Sequence, residues 1–323
     1  MKELYETLLY IAYNLANQNQ AITIEAIQQT LEWMLVEGFD LTREMSGLIA
    51  EGFLAEGSGK QYLLTDTGQK EAFRINKIRS REDFNRLMGS ATASRAYLDY
   101  CEEIYGYRMY FFNMMDKAQL DYLFNAIPIS SVDTILDIGC GAGSILSTLV
   151  RKYTCHGIGI DQLNEALVAK CSGGIAYIDG DLDDLPDYHI NPTITLAVDS
   201  LYFSNDLDKI IKHLFSFLNN RLYLYYSQYI FSENLKDEAL LQPGNTKLAA
   251  ALQRNGIPYR TVDYSSNEHA LYENALKILP RYKQALADEG NGDLYESKIR
   301  EYQSGKEMYD KGLASRYLYI VER

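Results

Sequence analysis

In residues 1–40, apolar side chains recur every three or four positions, which is the spacing of amphipathic helices. Two such sets occur, Leu4, Leu8, Ile11 and Leu15, followed by Ile24, Ile27, Leu31 and Leu35. A third helix is predicted after Leu41, with Thr42 as its N-cap. The first part of the chain therefore predicts a small helical domain.

A β-hairpin is predicted next, because FLAEGSGKQYLLT places two short apolar stretches around a Gly-Ser-Gly turn. Thr65 or Asp66 would cap the helix that follows. Three helices and a hairpin in this order resemble the winged-helix fold, and YLLTDTGQKEA is similar to the second wing strand of bacterial winged-helix regulators. Residues 1–80 are therefore predicted to be a winged-helix-like domain.

Residues 81–130 have the pattern of a helical linker. Tyr97, Tyr100, Cys101 and Ile104 share one helical face. A last helix is predicted over 118–127, ending before Pro128.

From Ser131 onward the periodicity changes to short apolar runs that alternate with helical segments. Seven runs have strand character, in TILDIG, HGIGID, IAYID, TITLAVD, RLYLYYSQY, YRTVDY and YLYIVE. Alternating strands and helices predict a doubly wound, mostly parallel sheet of seven strands over residues 131–323.

A helical insertion is predicted at 266–311, between the last two strands, where the connection is too long for a plain loop. Ser265 and Glu268 have the spacing of a capping box, Pro280 interrupts the segment, and ADEGNGD is the turn between two helices. The insertion would either cover a substrate or serve as structural packing.

The chain carries a net charge of −13, which disfavours partners that are themselves polyanions. Residues 1–80 contain seven Lys and Arg against eleven Asp and Glu, and the expected recognition helix offers Arg43 against Glu44 and Glu51. Proteins that bind phosphate backbones need a basic face. We therefore expect no nucleic acid partner, and a winged-helix-like domain that serves dimerisation or covers a neighbouring site.

The N-terminal segment has the pattern of an amphipathic helix and not of a signal peptide, and no run of about 18 apolar residues occurs. We therefore expect no membrane partner. The four cysteines form no C-x-x-C pair and have no ligand spacing with the histidines. A cytoplasmic protein without a metal site fits this pattern best.

The segment ILDIGCGAGS ends an apolar run in Asp137 and continues with Gly139, Gly141 and Gly143. A dinucleotide fingerprint would need its third glycine at Ser144. A pyrophosphate at a helix N-terminus would also be repelled by the carboxylate of Asp137. A ligand that carries a cationic amino group and a sulfonium would be attracted by the same acid.

The pattern D-x-G-x-G-x-G resembles the first motif of class I S-adenosylmethionine-dependent methyltransferases, and the resemblance covers about residues 110–230 and the closing strand. It implies a Rossmann-like methyltransferase fold and S-adenosylmethionine as the cofactor. By the same resemblance, Asp161 would accept both ribose hydroxyls, Asp181 the adenine amino group, and the Leu182 amide would meet the ring. Positions near the methionine end would be Asp199, Ser200, Leu201 and Tyr202. FFNMMD, at 111–116, resembles the segment that lies over the cofactor.

The residues at the ends of the fourth and fifth strands exclude some classes of methyl acceptor. Enzymes that methylate a flipped nucleobase hold the base with two prolines after the fourth strand, and DSLY lacks these prolines. LYLYYSQYI offers no carboxylates for a metal-dependent catechol-type enzyme, and Gln228 and Tyr229 stand where related winged-helix O-methyltransferases place a histidine base. The candidate catalytic residues are Tyr202, Glu268 and His269. The predicted activity is O- or N-methylation of a small molecule, by alignment and desolvation with weak general-base help.

Three alternatives stay open. The chain could be a winged-helix regulator that binds the cofactor as a signal, or an enzyme that modifies nucleic acid. It could be a nicotinamide-dependent dehydrogenase, which Asp137 and Ser144 disfavour. It could also bind S-adenosylmethionine and catalyse a reaction other than methylation.

Overall fold

The computed structural model describes residues 2–17, 20–33, 38–162, 175–185, 191–217, 220–230 and 237–322. The described residues divide into two compact units, one before and one after the junction between Phe84 and Asn85.

The N-terminal unit contains three helices and a two-stranded sheet. Its elements are α1 (Lys2–Asn17), α2 (Ile24–Trp33), α3 (Leu41–Ala50), β1 (Leu54–Glu56), β2 (Tyr62–Leu64) and the first part of α4 (Asp66–Ala93). The two strands pair antiparallel, so the predicted hairpin is present. Leu8, Ile27 and Leu48 are among the side chains that form its buried core. The assignment of this unit to the winged-helix fold stays a prediction.

One cap in this unit differs from the sequence prediction. Asp40, and not Thr42, is the N-cap of α3, because its extended backbone lets Oδ1 accept a hydrogen bond from the Arg43 amide at 3.2 Å. Thr65 caps α4 as expected, since its Oγ1 accepts a hydrogen bond from the Gly68 amide at 2.9 Å. Leu35, predicted on the face of the second helix, lies outside the described residues.

The second unit is built on a seven-stranded sheet. Its strands are β3 (Thr134–Ile138), β4 (His156–Asp161), β5 (Ile175–Asp179), β6 (Ile194–Val198), β7 (Arg221–Tyr229), β8 (Arg260–Asp263) and β9 (Ala314–Val321). Their order across the sheet is β5-β4-β3-β6-β7-β9-β8. The first five are parallel, and β9 runs antiparallel to β7 and β8. The predicted mostly parallel, seven-stranded sheet is confirmed.

Helices cover both faces of this sheet. After the end of α4 they are α5 (Arg95–Tyr105), α6 (Lys117–Asn125), α7 (Ser144–Tyr153), α8 (Leu207–Ser216), α9 (Lys247–Arg254), α10 (Ser265–Ile278), α11 (Lys283–Asp288) and α12 (Gly292–Asp310). Short 3-10 helices span Ser58–Lys60, Leu182–Asp184, Leu201–Phe203, Glu238–Leu241 and Leu279–Tyr282.

The central strands β3, β6, β7 and β9 bury both of their faces, which is why they read as nearly continuous apolar runs in the sequence. Alternate residues enter different cores: Ile135 belongs to the buried cluster that includes side chains of α6, α7, α10 and α12, whereas Leu136 belongs to the cluster that includes side chains of α8 and α9. The edge strands β5 and β8 are partly exposed, so the two-sided cover applies to the centre of the sheet.

The insertion between β8 and β9 consists of α10, α11 and α12, with the turn where ADEGNGD was expected to place it. α10 and α12 pack closely, because a Cβ on Gly305 would lie 2.4 Å from the Tyr272 ring. The predicted capping box is wrong. The Ser265 amide donates to Asp263 Oδ1 at 2.8 Å, and the carboxyl group of Glu268 points into the protein.

Candidate functional site

The glycine loop connects β3 to α7 at the carboxyl edge of the sheet, where open α/β sheets bind ligands. Gly139, Gly141 and Gly143 have φ angles of +71°, +54° and +72°, a region that favours glycine. A Cβ on Gly139 would lie 2.3 Å from the Ser200 Cβ, and a Cβ on Gly143 would lie 2.1 Å from the Tyr177 hydroxyl. The loop therefore needs glycine for its conformation and for its close approach to the neighbouring strands.

Asp161 ends β4 beside this loop. Its Oδ2 accepts a hydrogen bond from the Gly141 amide at 2.7 Å, while the Gly139 and Cys140 amides donate to the Ile160 carbonyl at 2.8 and 3.2 Å. The carboxylate is half-buried. The structure therefore brings the acid predicted to bind ribose into direct contact with the glycine loop.

Asp137 lies on β3 just before the loop and is only 3% exposed. Burial raises the pKa of its carboxyl group to about 7, and the negative charge of Asp161 adds to the rise. A bound cation would reverse this effect, because it stabilises the ionised carboxylate. The pair of acids therefore suits a cationic ligand and disfavours a pyrophosphate.

We expect Asp137→Asn to raise the stability of the ligand-free protein at pH 8 by about 1–3 kcal/mol. The folded-state pKa of Asp137 is raised, so the stability it contributes in its protonated form is lost as the pH rises toward 7. Asparagine does not ionise, and its advantage should shrink as the pH falls toward 4. Urea unfolding at several pH values measures this, and a difference that does not depend on pH would contradict it.

Asp181 and Leu182 come directly after β5, the strand that pairs with β4. Asp181 caps the short helix Leu182–Asp184 through the Asp183 amide at 2.9 Å, and both residues are half-buried. Asp183 accepts hydrogen bonds from Ser204 Oγ at 2.7 Å and from the Asn205 side chain at 2.7 Å. The loops after β5 and β6 are thus fastened to each other at the same edge.

Asp199 and Ser200 follow β6, with Asp199 in the left-handed region at φ +53°. Ser200 Oγ donates to the Ile138 carbonyl at 2.6 Å, which fixes the end of β6 against the glycine loop. Tyr202 is 42% exposed, and its ring lies 4.7 Å from Phe203 and 6.3 Å from Tyr226, centroid to centroid. An exposed aromatic pair therefore stands beside the loop.

The carboxylate of Asp199 points to Arg316, which the sequence analysis did not single out. Arg316 lies on β9, is fully buried, and holds Asp199 through two hydrogen bonds, Nη1 to Oδ1 at 2.6 Å and Nη2 to Oδ2 at 2.9 Å. The Met114 amide, in the segment predicted to lie over the cofactor, donates to Asp199 Oδ2 at 2.8 Å. Asp199 therefore joins that segment to β9.

Glu268 completes this buried charge cluster from α10. Arg316 Nη1 reaches Glu268 Oε1 at 3.3 Å and Ser227 Oγ at 2.8 Å, and Arg316 Nε donates to Gln119 Oε1 at 2.8 Å. Hydroxyl groups of Tyr229, Tyr272 and Tyr309 also donate to the Glu268 carboxylate. Burial raises the pKa of Glu268, with Asp199 adding to the rise, while Arg316 opposes it.

His269, the neighbour of Glu268, faces α12. Its Nε2 lies 2.9 Å from Asp310 Oδ1, and its ring stacks on Tyr309 with centroids 5.4 Å apart. Tyr309 in turn contacts Glu268, so the cluster and His269 share one tyrosine. Of the three predicted catalytic residues, Glu268 is buried, His269 is half-buried and Tyr202 is exposed.

Among the described residues, no group of three or more His, Cys, Asp or Glu side chains is arranged to hold a metal ion. No helix in the described ranges has the length and apolar character needed to span a bilayer.

Similarity to known proteins extends over part of the sequence and over the fold. Residues 117–211 match the family of the methionine biosynthesis protein MetW. No curated protein matches the sequence. Among solved structures, phosphoethanolamine N-methyltransferase 2 of Haemonchus contortus, in complex with phosphomonomethylethanolamine and S-adenosylhomocysteine, is similar with a TM-score of 0.58 and 13% identity. The similarity covers 74% of this chain and 60% of that enzyme.

Two cyclopropane synthases are similar over 73% of this chain and 98% of their own. MmaA2 of Mycobacterium tuberculosis has a TM-score of 0.55 at 12% identity. The mycolic acid synthase CmaA1, in complex with S-adenosylhomocysteine and CTAB, has a TM-score of 0.53 at 14% identity. The chain has the fold of class I S-adenosylmethionine-dependent methyltransferases. At the level of the fold, the resemblance inferred from the glycine motif is confirmed.

Proposed function

We propose that this protein binds S-adenosylmethionine at the glycine loop and transfers its methyl group to a small-molecule acceptor. The observation that carries the proposal is the arrangement of two acids around a three-glycine loop, with Asp137 buried beneath it and Asp161 bonded to the Gly141 amide. The similar methyltransferase and the similar cyclopropane synthase CmaA1 were both solved with S-adenosylhomocysteine, which supports the same cofactor here.

The residues present fit this cofactor. Asp161 would accept hydrogen bonds from the ribose hydroxyls, Asp181 and Leu182, which follow β5, would meet the adenine, and the backbone at Gly139 to Gly143 would allow a close approach. Asp137, Asp199 and Ser200 would lie toward the methionine end, where the carboxylate of Asp137, whose pKa is raised by burial, would favour an ammonium group. The bound cofactor would supply a methyl group on a sulfonium, and the chain would have to align the acceptor and exclude water.

The acceptor side would be formed by Tyr202, Glu268 and His269. The exposed ring of Tyr202 offers an apolar wall, and the tyrosines around Glu268 present hydroxyl groups next to a buried carboxylate. An acceptor with an O–H or N–H group suits this chemistry, which favours O- or N-methylation. Glu268 and His269 would assist as weak bases.

Asp161→Ala should weaken the binding of S-adenosylhomocysteine by about 1.5–3 kcal/mol, because it removes a charged acceptor for the ribose. Isothermal titration calorimetry measures the change. Asp179→Ala is a matched control, since Asp179 is the exposed partner of Asp161 in the register of β4 and β5. Equal affinities of wild type and Asp161→Ala would show that this acid does not hold the ribose.

The same titration tests the proposal as a whole. Wild-type protein should bind S-adenosylhomocysteine and should not bind NADH. Failure to bind S-adenosylhomocysteine would overturn the proposed function, and binding of NADH would favour the dehydrogenase alternative. The roles of residues 1–80 in dimerisation or in covering the site, and the absence of a nucleic acid partner, stay predictions.

A further inference from the structure

The last part of α4, residues 85–93, lies at the glycine loop. Met88 Cε would be 3.3 Å from a Cβ on Gly141. Asn85, one helical turn earlier on the same face, donates from Nδ2 to the Gln162 backbone carbonyl at 3.2 Å. The two residues therefore contact the loop and the end of β4, although the sequence pattern marks this segment only as a helical linker.

Asn85 holds a polar atom that the protein does not use. Its Oδ1 is buried and accepts no hydrogen bond from any of the residues that the structure describes. The orientation of the amide is set by chemistry, because the NH₂ group must face the Gln162 carbonyl, which leaves Oδ1 on the other side. A buried acceptor without a donor costs about 1–3 kcal/mol, so native structures rarely keep one without a reason.

The position of Asn85 suggests that reason. Gln162 directly follows Asp161, and Asp161 Oδ2 accepts the Gly141 amide that lies beside Met88. Asn85 and Met88 thus flank the pair formed by Gly141 and Asp161. A ligand bound at that pair would lie next to the side chains of Asn85 and Met88.

We infer that Asn85 is a cofactor-binding residue whose Oδ1 accepts a hydrogen bond from the adenosine part of S-adenosylmethionine. The inference rests on the proposed function and adds a residue to that site from a helix outside the matched sheet segment. Adenosine carries two kinds of uncharged donor, the ribose hydroxyls and the adenine amino group. Either one would satisfy the orphaned acceptor and remove the cost of its burial.

The test is a titration of S-adenosylhomocysteine against wild type, Asn85→Ala and Asn85→Asp. One lost neutral hydrogen bond should weaken binding about 3- to 15-fold in Asn85→Ala. In Asn85→Asp a carboxylate oxygen replaces the amide donor and faces the Gln162 carbonyl, so this variant should bind no better than Asn85→Ala. Cofactor analogues therefore have to distinguish a contact with the ligand from a purely structural role of the side chain. Glu82→Ala, an exposed change one turn earlier in α4, is the control and should bind as wild type does.

Analogues identify the donor. If Oδ1 accepts from the adenine amino group, S-inosylhomocysteine, which lacks that group, should bind wild type and Asn85→Ala with equal affinity. If Oδ1 accepts from a ribose hydroxyl, the 2′- or 3′-deoxy analogue that lacks this hydroxyl should bind both proteins with equal affinity. Wild-type affinity of Asn85→Ala for S-adenosylhomocysteine, or an unchanged 3- to 15-fold gap with all three analogues, would overturn the inference. If Asp161→Ala weakens the binding of S-adenosylhomocysteine in the same series, the proposed function stands even where the inference about Asn85 is overturned.

Discussion

Arg316→Met should lower the free energy of unfolding by about 3–5 kcal/mol at pH 8, because it leaves two buried carboxylates without their counter-charge. Arg316 is fully buried and reaches Asp199 and Glu268 within 3.3 Å. Burial opposes its ionisation, yet these two acids hold the pKa of Arg316 well above its usual range. The buried arginine and the two buried acids therefore depend on one another to stay ionised.

The sign of the pH dependence follows from the same cluster. Without Arg316, the pKa of Glu268 in the folded protein should rise further above its usual value, so the folded state would bind more protons than the unfolded state. The stability deficit of the variant should then shrink as the pH falls from 8 toward 5. Urea unfolding should be followed by circular dichroism, since the single tryptophan, Trp33, belongs to the N-terminal unit.

Two further variants keep this prediction open to refutation. Arg254→Met removes an arginine that also bonds one aspartate, Asp208, through two nitrogens, but both side chains are exposed. It should leave the unfolding midpoint close to that of wild type. Arg316→Met combined with Asp199→Asn and Glu268→Gln removes all three charges and should recover much of the loss. A deficit of the same size in that triple variant would mean that packing, and not charge, is what Arg316 contributes.

The sheet and the glycine loop could be predicted because local patterns determine them. Buried parallel strands need continuous apolar runs, and a strand that turns into a helix around positive φ angles needs glycine. The charge cluster could not be predicted, because its members come from β6, β7, β9, α6 and α10, which the sequence separates widely. A weak signal was present: Arg316 is the single charge in the strand ASRYLYIV. Its partners could be found only from the register of β9 on β7.

The capping box predicted for Glu268 is wrong because tertiary contacts replace the local one. The spacing of Glu268 from Ser265 fits a capping box, but Asp263 already accepts the Ser265 amide. The inward-facing carboxyl group instead meets Arg316 and the tyrosines. Sequence rules predict only the hydrogen-bond partners that a side chain could have within one helical turn. Here the carboxyl group of Glu268 bonds to tertiary partners instead of the local one. Asn85 was missed for a related reason, since its orphaned oxygen is visible only when α4 lies at β4.

Gly139→Ala should weaken the binding of S-adenosylhomocysteine at least a hundredfold, which is about 2.8 kcal/mol. The new Cβ would lie 2.3 Å from the Ser200 Cβ, and Ser200 is fixed by its hydrogen bond to the Ile138 carbonyl. Neither side can yield without moving the loop that Asp161 and Asp137 flank. The strain of φ +71° adds to the effect.

The variant Gly256→Ala distinguishes the effect of the Cβ contact at Gly139 from the effect of backbone strain at a positive φ angle. Gly256 has a similar φ of +64°, but a Cβ there would have no atom within 4 Å. Both variants should lose some thermal stability, which scanning calorimetry measures, whereas only Gly139→Ala should lose the cofactor in a titration of folded protein. If Gly256→Ala lost affinity to the same extent, the effect would come from destabilisation of the sheet unit. If Gly139→Ala stayed folded and bound as wild type, the close approach of the first glycine to β6 would not be part of the cofactor site, and the ligand would have to rest on Gly141, Gly143 and Asp161 alone.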